Sequence, residues 1–261
     1  MIAIITDFGS ESIYVSQLIN RIKSINPIEE IIVITNNIKK HNILEGAFIL
    51  REACRYLING TIVVAVVDPG VGSERKPLIV ETNKHILVGP DNGVLYLASI
   101  EEGIKTIYEI DIEKLFIQSV SNTFHGRDVF APIAALLSLG YKPSYFSKSL
   151  SSMNKIQLPS VKIFDDKIVG EVIFIDQFGN IVTNISSNLL KELKITYNTI
   201  IKVKIKDSEV KLPFVKTYSE VKLGDPLILI DSFDLLEIAI NQGNAKEKFN
   251  IEVGETVSLL I

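Results

Sequence analysis

Residues 61–75 read Thr61-Ile-Val-Val-Ala-Val-Val-Asp68-Pro-Gly-Val-Gly-Ser-Glu-Arg75, an unbroken apolar run that stops at a turn carrying charge. A run this rich in β-branched residues, with no polar alternation, fits a parallel strand covered on both faces. That single requirement constrains the chain most. A strand buried on both sides needs helices above and below it, so the surrounding sequence must alternate strands with helices. It also puts Asp68 at a strand's carboxyl end, where the loops of an open α/β sheet collect ligands. Gly70 and Gly72 allow a turn sharp enough to bring Arg75 back towards Asp68. Taken alone, the same segment is equally a plain turn.

The expected alternation is present. Strand-like residues 2–5 lead through Asp7 and Gly9 into residues 14–25, where Val15, Leu18, Ile19, Ile22 and Ile25 recur at helical spacing. Residues 31–34 form a second buried strand. Residues 42–58 form a second helix with Asn42 as N-cap and Glu45 three residues on. Further strands are expected over 61–67, 78–80 and 85–88, and a helix over 128–139 that tolerates Pro132 only in its first turn. Residues 147–162 lack periodicity and read as a linker. Beyond them, segments 168–175, 200–205, 226–230, 236–240 and 256–260 are strand-like, with one short helix over 189–193. The expectation is an α/β domain with a mostly parallel sheet over residues 1–150, followed by an all-β, barrel-like domain over residues 163–261.

Composition narrows the classes of function. At 261 residues and 47% hydrophobic, the chain can bury one large core or two modest ones. A net charge of −4 argues against a nucleic-acid partner, which calls for a concentrated basic face. One cysteine, Cys54, excludes an internal disulfide and a thiolate metal cluster and fits a cytoplasmic protein. There is no 18-residue apolar run, so neither a membrane span nor a signal peptide is expected.

Four more stretches carry possible chemistry: Thr6-Asp7-Phe8-Gly9, Gly89-Pro-Asp-Asn-Gly93, Thr123-Phe-His-Gly-Arg-Asp128, and Asp176-Gln-Phe-Gly-Asn180 followed by Thr183-Asn184. Asp7, at a strand end, suits a carboxylate that accepts both hydroxyls of a ribose. His125 by itself is also readable as a capping or core-edge histidine, Arg75 as a surface residue, and Asp176 to Asn180 as a hairpin turn.

In this order and at these spacings the motifs resemble the S-adenosylmethionine hydroxide adenosyltransferases, the water-using relatives of the adenosylmethionine-dependent fluorinases and chlorinases. The resemblance runs from Thr6 to the Gly243-Asn244-Ala245 region. It implies hydrolysis of S-adenosyl-L-methionine to adenosine and L-methionine, with Asp68, Arg75 and His125 holding the attacking water or hydroxide. The halogenating relatives depart from this triad, so its presence implies water over halide. For substrate binding the resemblance implies Asp7 at the ribose, Asn180 at the adenine edge, Asp176 near the methionine ammonium, Ser232 and Glu237 at the methionine and adenosine ends, and the Ile240 backbone close to adenine. Tyr218 is a candidate to stack on the base. No metal or organic cofactor is expected, because the sulfonium leaves as a neutral thioether. A homotrimer is implied, with sites between subunits. Three positions depart from the family's pattern: Ser12 where aspartate is common, Asn36 where histidine is common, and His41 where an aromatic residue is common. Two alternatives stay in view: halide attack on the same carbon by a halogenase, and, because of these departures, a non-catalytic protein that binds adenosylmethionine or adenosine.

Overall fold

The computed structural model describes every residue except 116–119, 207 and 261. It separates into two compact units, Met1–Gln157 and Leu158–Ile261. The first contains β1 (Ile2–Thr6), α1 (Ile13–Ile25), β2 (Ile31–Thr35), α2 (Ile43–Cys54), β3 (Ile62–Val66), β4 (Pro77–Thr82), β5 (Ile86–Pro90), α3 (Tyr96–Glu102), β6 (Ile104–Ile110), α4 (Ala131–Ser138) and β7 (Ser147–Leu150).

Its seven strands lie in the order β2-β1-β3-β5-β4-β6-β7. The first four are mutually parallel, and the antiparallel β4 then turns the sheet over to β6 and β7. The apolar run expected to be buried on both faces is β3, and all five of its residues are buried. Period-two alternation sends Ile62, Val64 and Val66 into one core with Leu18 and Ile22 of α1 and Ile133 of α4. Val63 and Ala65 enter the opposite core with Leu50 and Cys54 of α2 and Ala98 of α3.

The structure adjusts the sequence expectations at several points. The helix expected to reach residue 58 stops at Cys54, because the Tyr56 N–H donates to Ala53, three residues back, and Gly60 at φ 87° then turns the chain. Pro132 does sit in the first turn of α4, but a π-helical turn, Gly126–Phe130, leads into it. The wider turn makes room for a proline ring and spares a missing N–H. Residues 147–150 are not linker: they form β7, the outermost strand, whose Ser-Lys-Ser pattern suits an edge with one face in solvent. Strand β6 and helix α3 escaped the sequence reading altogether.

The second unit contains β8 (Lys162–Ile163), β9 (Lys167–Ile175), β10 (Ile181–Ser186), α5 (Ser187–Glu192), β11 (Thr199–Ile205), β12 (Ser208–Phe214), β13 (Pro226–Ile230), β14 (Leu235–Ile240), α6 (Ala245–Phe249) and β15 (Thr256–Leu260). Pairing runs β10-β14-β13-β12-β11-β15-β9 and returns to β10, so seven strands close a barrel, with β8 attached outside on β9. In β11, Ile201, Val203 and Ile205 point into the barrel core while Lys202 and Lys204 face solvent. Closure leaves no unpaired edge between β9 and β10. Among the described residues no helix is long and apolar enough to cross a membrane.

Candidate active site

Asp68 lies just past the carboxyl end of β3, and the turn that follows delivers Arg75 back to it. Arg75 Nε donates to Asp68 Oδ1 at 2.9 Å and Nη2 donates to Oδ2 at 2.5 Å, a bidentate pair. Both side chains are buried, so Arg75 is not a surface residue. Only one of the two glycines is needed for this geometry. Gly72 has φ 78°, and a Cβ there would overlap the carbonyl oxygen of Asn122, whereas a Cβ at Gly70 would meet nothing closer than ordinary contact.

Arg75 Nη2 also lies 2.8 Å from Nδ1 of His125. A guanidinium can only donate, so Nδ1 must accept, and the ring's proton in its neutral form sits on Nε2. The environment agrees with a neutral ring: burial lowers the His125 pKa below the usual imidazole value, and the adjacent Arg75 charge lowers it further. His125 stands at the start of the π-helical turn without a side-chain capping bond, which removes the capping interpretation. One guanidinium therefore ties a carboxylate and an imidazole into a fixed arrangement.

Asp68 and His125 open onto a cleft of about 600 Å³ that is also lined by Asp7, His41, Lys40 and Arg127. Asp7 Oδ2 accepts the His41 backbone N–H at 2.8 Å, leaving Oδ1 for a ligand. Phe8, Tyr14 and Phe124 form an edge-to-face cluster on the cleft wall, with ring centroids 5.2 to 6.0 Å apart. Sequence reading passed over this cluster and the role of Arg127, and it takes Lys40 for solvated surface, whereas Lys40 lines the cleft. The cluster's signal lay inside the singled-out motifs, since Phe8 follows Asp7 and Phe124 precedes His125. Two of the departures from the family's pattern have local structural work: Ser12 caps α1 by accepting from the Tyr14 N–H, and Asn36 Oδ1 accepts from Thr6 Oγ1 at 3.1 Å. His41 adopts φ 66° and lines the cleft.

In the second unit, a separate pocket of about 390 Å³ gathers Asp176, Tyr218, Ser232 and Glu237, together with Asp231 and Lys216. Tyr218 Oη donates to Glu237 Oε1 at 2.8 Å. Burial pushes the Glu237 carboxyl up to about 7. Asp231 and Asp176 reinforce that rise, and the Tyr218 bond only partly opposes it. Burial also raises the Tyr218 phenol, and its bond to the Glu237 carboxylate, with Asp176 and Asp231 nearby, raises it further. Asn180 and Ile240 lie off this pocket. Asn180 donates its amide to Asp176 Oδ2 and its backbone N–H to Asp176 Oδ1, both at 2.9 Å, so residues 176–180 are a self-bonded turn joining antiparallel β9 and β10. Ile240 is buried, and its carbonyl accepts the Gly243 N–H.

Cys54, His85 and Glu102 bring three potential metal donors within 4.8 Å of one another. Both carboxylate oxygens of Glu102 are already engaged, one 2.6 Å from His85 Nδ1 and the other accepting from Thr82 Oγ1. Burial raises the Cys54 thiol to about 12. The trio is a buried polar knot of the first unit: the thiol keeps its proton, and both Glu102 oxygens and His85 Nδ1 are taken, while His85 Nε2 is buried without a partner.

Comparison with known proteins adds two family matches. The N-terminal domain of SAM hydroxide adenosyltransferases matches residues 2–147, and the C-terminal domain matches residues 170–258. A (R)-S-adenosyl-L-methionine hydrolase of Methanocaldococcus jannaschii is 36% identical, covering 100% of this chain and 95% of its own length. Another hydrolase of that name, from Thermus thermophilus, is 30% identical over 98% of both. A fluorinase of an Actinoplanes species is 24% identical, again along nearly the whole chain. Among solved structures, an uncharacterized conserved protein from Thermotoga maritima superposes with a TM-score of 0.94 at 35% identity over the full length of both chains. With both domain matches in sequence order and relatives similar from end to end, this chain belongs to the SAM hydroxide adenosyltransferase family.

Proposed function

We propose that the chain hydrolyses S-adenosyl-L-methionine to adenosine and L-methionine by attack of one activated water at ribose C5′. The bond from water oxygen to C5′ forms as the C5′–S bond breaks. The bonding pair goes to sulfur, so methionine leaves as a neutral thioether and needs neither protonation nor a Lewis acid. The burden falls on the nucleophile, which has to be held, oriented and relieved of a proton. The observation that carries this reading is the hydrogen-bonded chain Asp68–Arg75–His125, whose two ends line a nucleoside-sized cleft.

Its geometry suggests a division of labour. Arg75 occupies one lone pair on each Asp68 oxygen, and the remaining lone pairs accept a water proton. His125, with Nδ1 taken by Arg75, offers its Nε2–H to the water's oxygen as a positioning donor and is not the base. Asp7 serves the ribose hydroxyls, and the acidic pocket with Asp176, Ser232, Glu237 and Tyr218 serves the cationic amino-acid end. Asn180 and Ile240 are kept as adenine contacts. In this reading the hydrolase relatives, more similar to the chain than the fluorinase, favour water over halide. Their names further suggest that the substrate is the epimer with the (R) configuration at sulfur.

The test is chromatography of purified protein incubated with epimerised adenosylmethionine in heavy-oxygen water. Adenosine labelled at its 5′ oxygen, with depletion of the (R) epimer, is expected. Absence of adenosine despite tight binding would point to a sensor, and 5′-chloroadenosine in chloride would point to a halogenase. We also infer a homotrimer in which neighbouring copies complete one another's sites. Co-assembled Asp68→Ala and Asp176→Ala chains should then regain part of the activity that each lacks alone. No rescue in verified mixed oligomers would overturn the shared site. Turnover should survive chelation, and a loss restored by a divalent ion would contradict the mechanism.

A further inference from the structure

Residues 121–128 supply Ser121, Thr123, Phe124, His125 and Arg127 to the cleft wall. What holds this loop in shape is a side chain that does not itself line the cleft. Asp128 Oδ2 reaches back and accepts the Ser121 backbone N–H at 2.9 Å, closing the segment that carries His125 at its tip. The same carboxylate receives a two-pronged contact from its neighbour, Arg127 Nε to Oδ1 at 2.7 Å and Nη2 to Oδ2 at 2.8 Å. Arg127 then stretches Nη1 to Gln17 on α1 and lays its guanidinium over the Phe124 ring at 5.2 Å. Asp128 is buried, and although burial opposes ionisation, the Arg127 and Ser121 bonds keep its carboxyl below the usual range.

The loop also touches the other half of the triad, since Gly72 packs against the carbonyl of Asn122. The distance from Arg75 to His125 Nδ1 is therefore set by how two short segments meet, the turn 68–75 and the loop 121–128. The first is pinned by the Asp68–Arg75 pair. The second is pinned by Asp128.

We propose that Asp128, through its bond to the Ser121 N–H and its ion pair with Arg127, is a positioning residue that holds His125 in register with Arg75. This rests on the hydrolase reading for its catalytic consequence, but its structural content can be tested without turnover. The chain has three histidines, so their ring resonances can be followed individually. Asn at position 128 keeps the size and an acceptor for Ser121 but loses the charge that Arg127 grips.

The experiment compares imidazole titrations and steady-state kinetics of the wild type and Asp128→Asn. The His125 signals and apparent pKa should move, and kcat should fall about tenfold or more with KM within about threefold. In a His125→Ala background, Asp128→Asn should add less than about a twofold further loss, because its route of action is already gone. Unmoved His125 signals in a folded Asp128→Asn protein, or the same fold-loss in both backgrounds, would overturn the proposal. If Asp128→Asn does not fold, Arg127→Gln removes the grip while leaving the Ser121 bond. Shifted His125 signals there support the proposal and unmoved ones refute it. A wild type with no hydrolase activity but an Asp128-dependent His125 would sink the function and leave the positioning intact, whereas an active wild type with an indifferent His125 would do the reverse.

Discussion

The two units treat charge in opposite ways. Around the cleft of the first unit two acids are ion-paired, Asp68 with Arg75 and Asp128 with Arg127, whereas the acids of the second unit's pocket accept bonds from neutral groups, Asp176 from Asn180 and Glu237 from Tyr218. The pocket of the second unit crowds Asp176, Asp231 and Glu237 together, with Lys216 as its lone cationic side chain among the described residues, and burial with this crowding raises the Glu237 carboxyl. A prepaired site is rigid before any ligand arrives, which is what orienting a single water demands. An acid-rich site gains most when a cation enters, because the newcomer relieves a repulsion that folding left in place. Under the proposed reaction the first geometry does the chemistry and the second recognises a positively charged substrate.

Breaking the prepaired side should have the largest effect. Asp68→Asn removes the acceptor for the water's proton and loosens Arg75, so kcat should fall by roughly a thousandfold, about 4 kcal/mol, with KM little changed. Arg75→Lys cannot reproduce the planar fork or reach His125 in the same plane, and about a hundredfold loss is expected. The double variant should be scarcely worse than Asp68→Asn alone, since both act on one nucleophile. Single-turnover kinetics measure all three. Near-normal turnover in any of them would dissolve the distinction between the two units.

The turn itself offers a sharper test within a single loop. Gly72→Ala forces a left-handed backbone on alanine and drives its methyl into the Asn122 carbonyl, so a loss of about 3 kcal/mol is expected. Gly70→Ala, with only ordinary contacts waiting, should stay within about 1 kcal/mol. Denaturant unfolding of both variants gives the comparison. Equal losses would mean that the turn is not pinned at Gly72.

Much of the first unit was legible because its signals are local. The run at 62–66, the Asn42–Glu45 cap and the Asp68 turn each state their own structure over a few residues. Strand β7 was not legible: an edge strand with one buried residue has no apolar period to read, and only its pairing with β6 identifies it. The aromatic wall was missed for a similar reason. Phe8, Tyr14 and Phe124 come from two stretches over a hundred residues apart, and each taken alone looks like ordinary core. In the second unit, Asp176, Ser232 and Glu237 came from resemblance and Tyr218 as a candidate to stack on the base, and the structure gathers all four in one pocket, with the Tyr218 hydroxyl bonded to Glu237. Barrel closure was only partly visible, because the β9–β10 pairing that closes it depends on a turn whose residues bond to themselves.

The acid-rich side should yield a smaller effect with a distinctive pH dependence. Glu237 rises from an ordinary 4.5 to about 7 on folding. Below pH 4.5 the carboxyl is protonated in both states and costs nothing. Between 4.5 and 7 the unfolded chain ionises while the folded one holds its proton, so stability falls as pH rises. Above 7 the loss levels off at roughly 3 kcal/mol, the free-energy equivalent of the shift. Glu237→Gln keeps an acceptor for the Tyr218 hydroxyl and never ionises. It should therefore match the wild type in stability near pH 4.5 and exceed it by up to about 3 kcal/mol at pH 8. Adenosylmethionine should narrow that gap, because a bound cation stabilises ionised Glu237 in the wild type and has nothing to pair with in the variant. Unfolding curves at the two pH values, with and without ligand, measure each part. A gap that is flat with pH would show that Glu237 is not the strained acid of this pocket. A gap that ligand fails to narrow would remove the second unit from recognition of the cationic end.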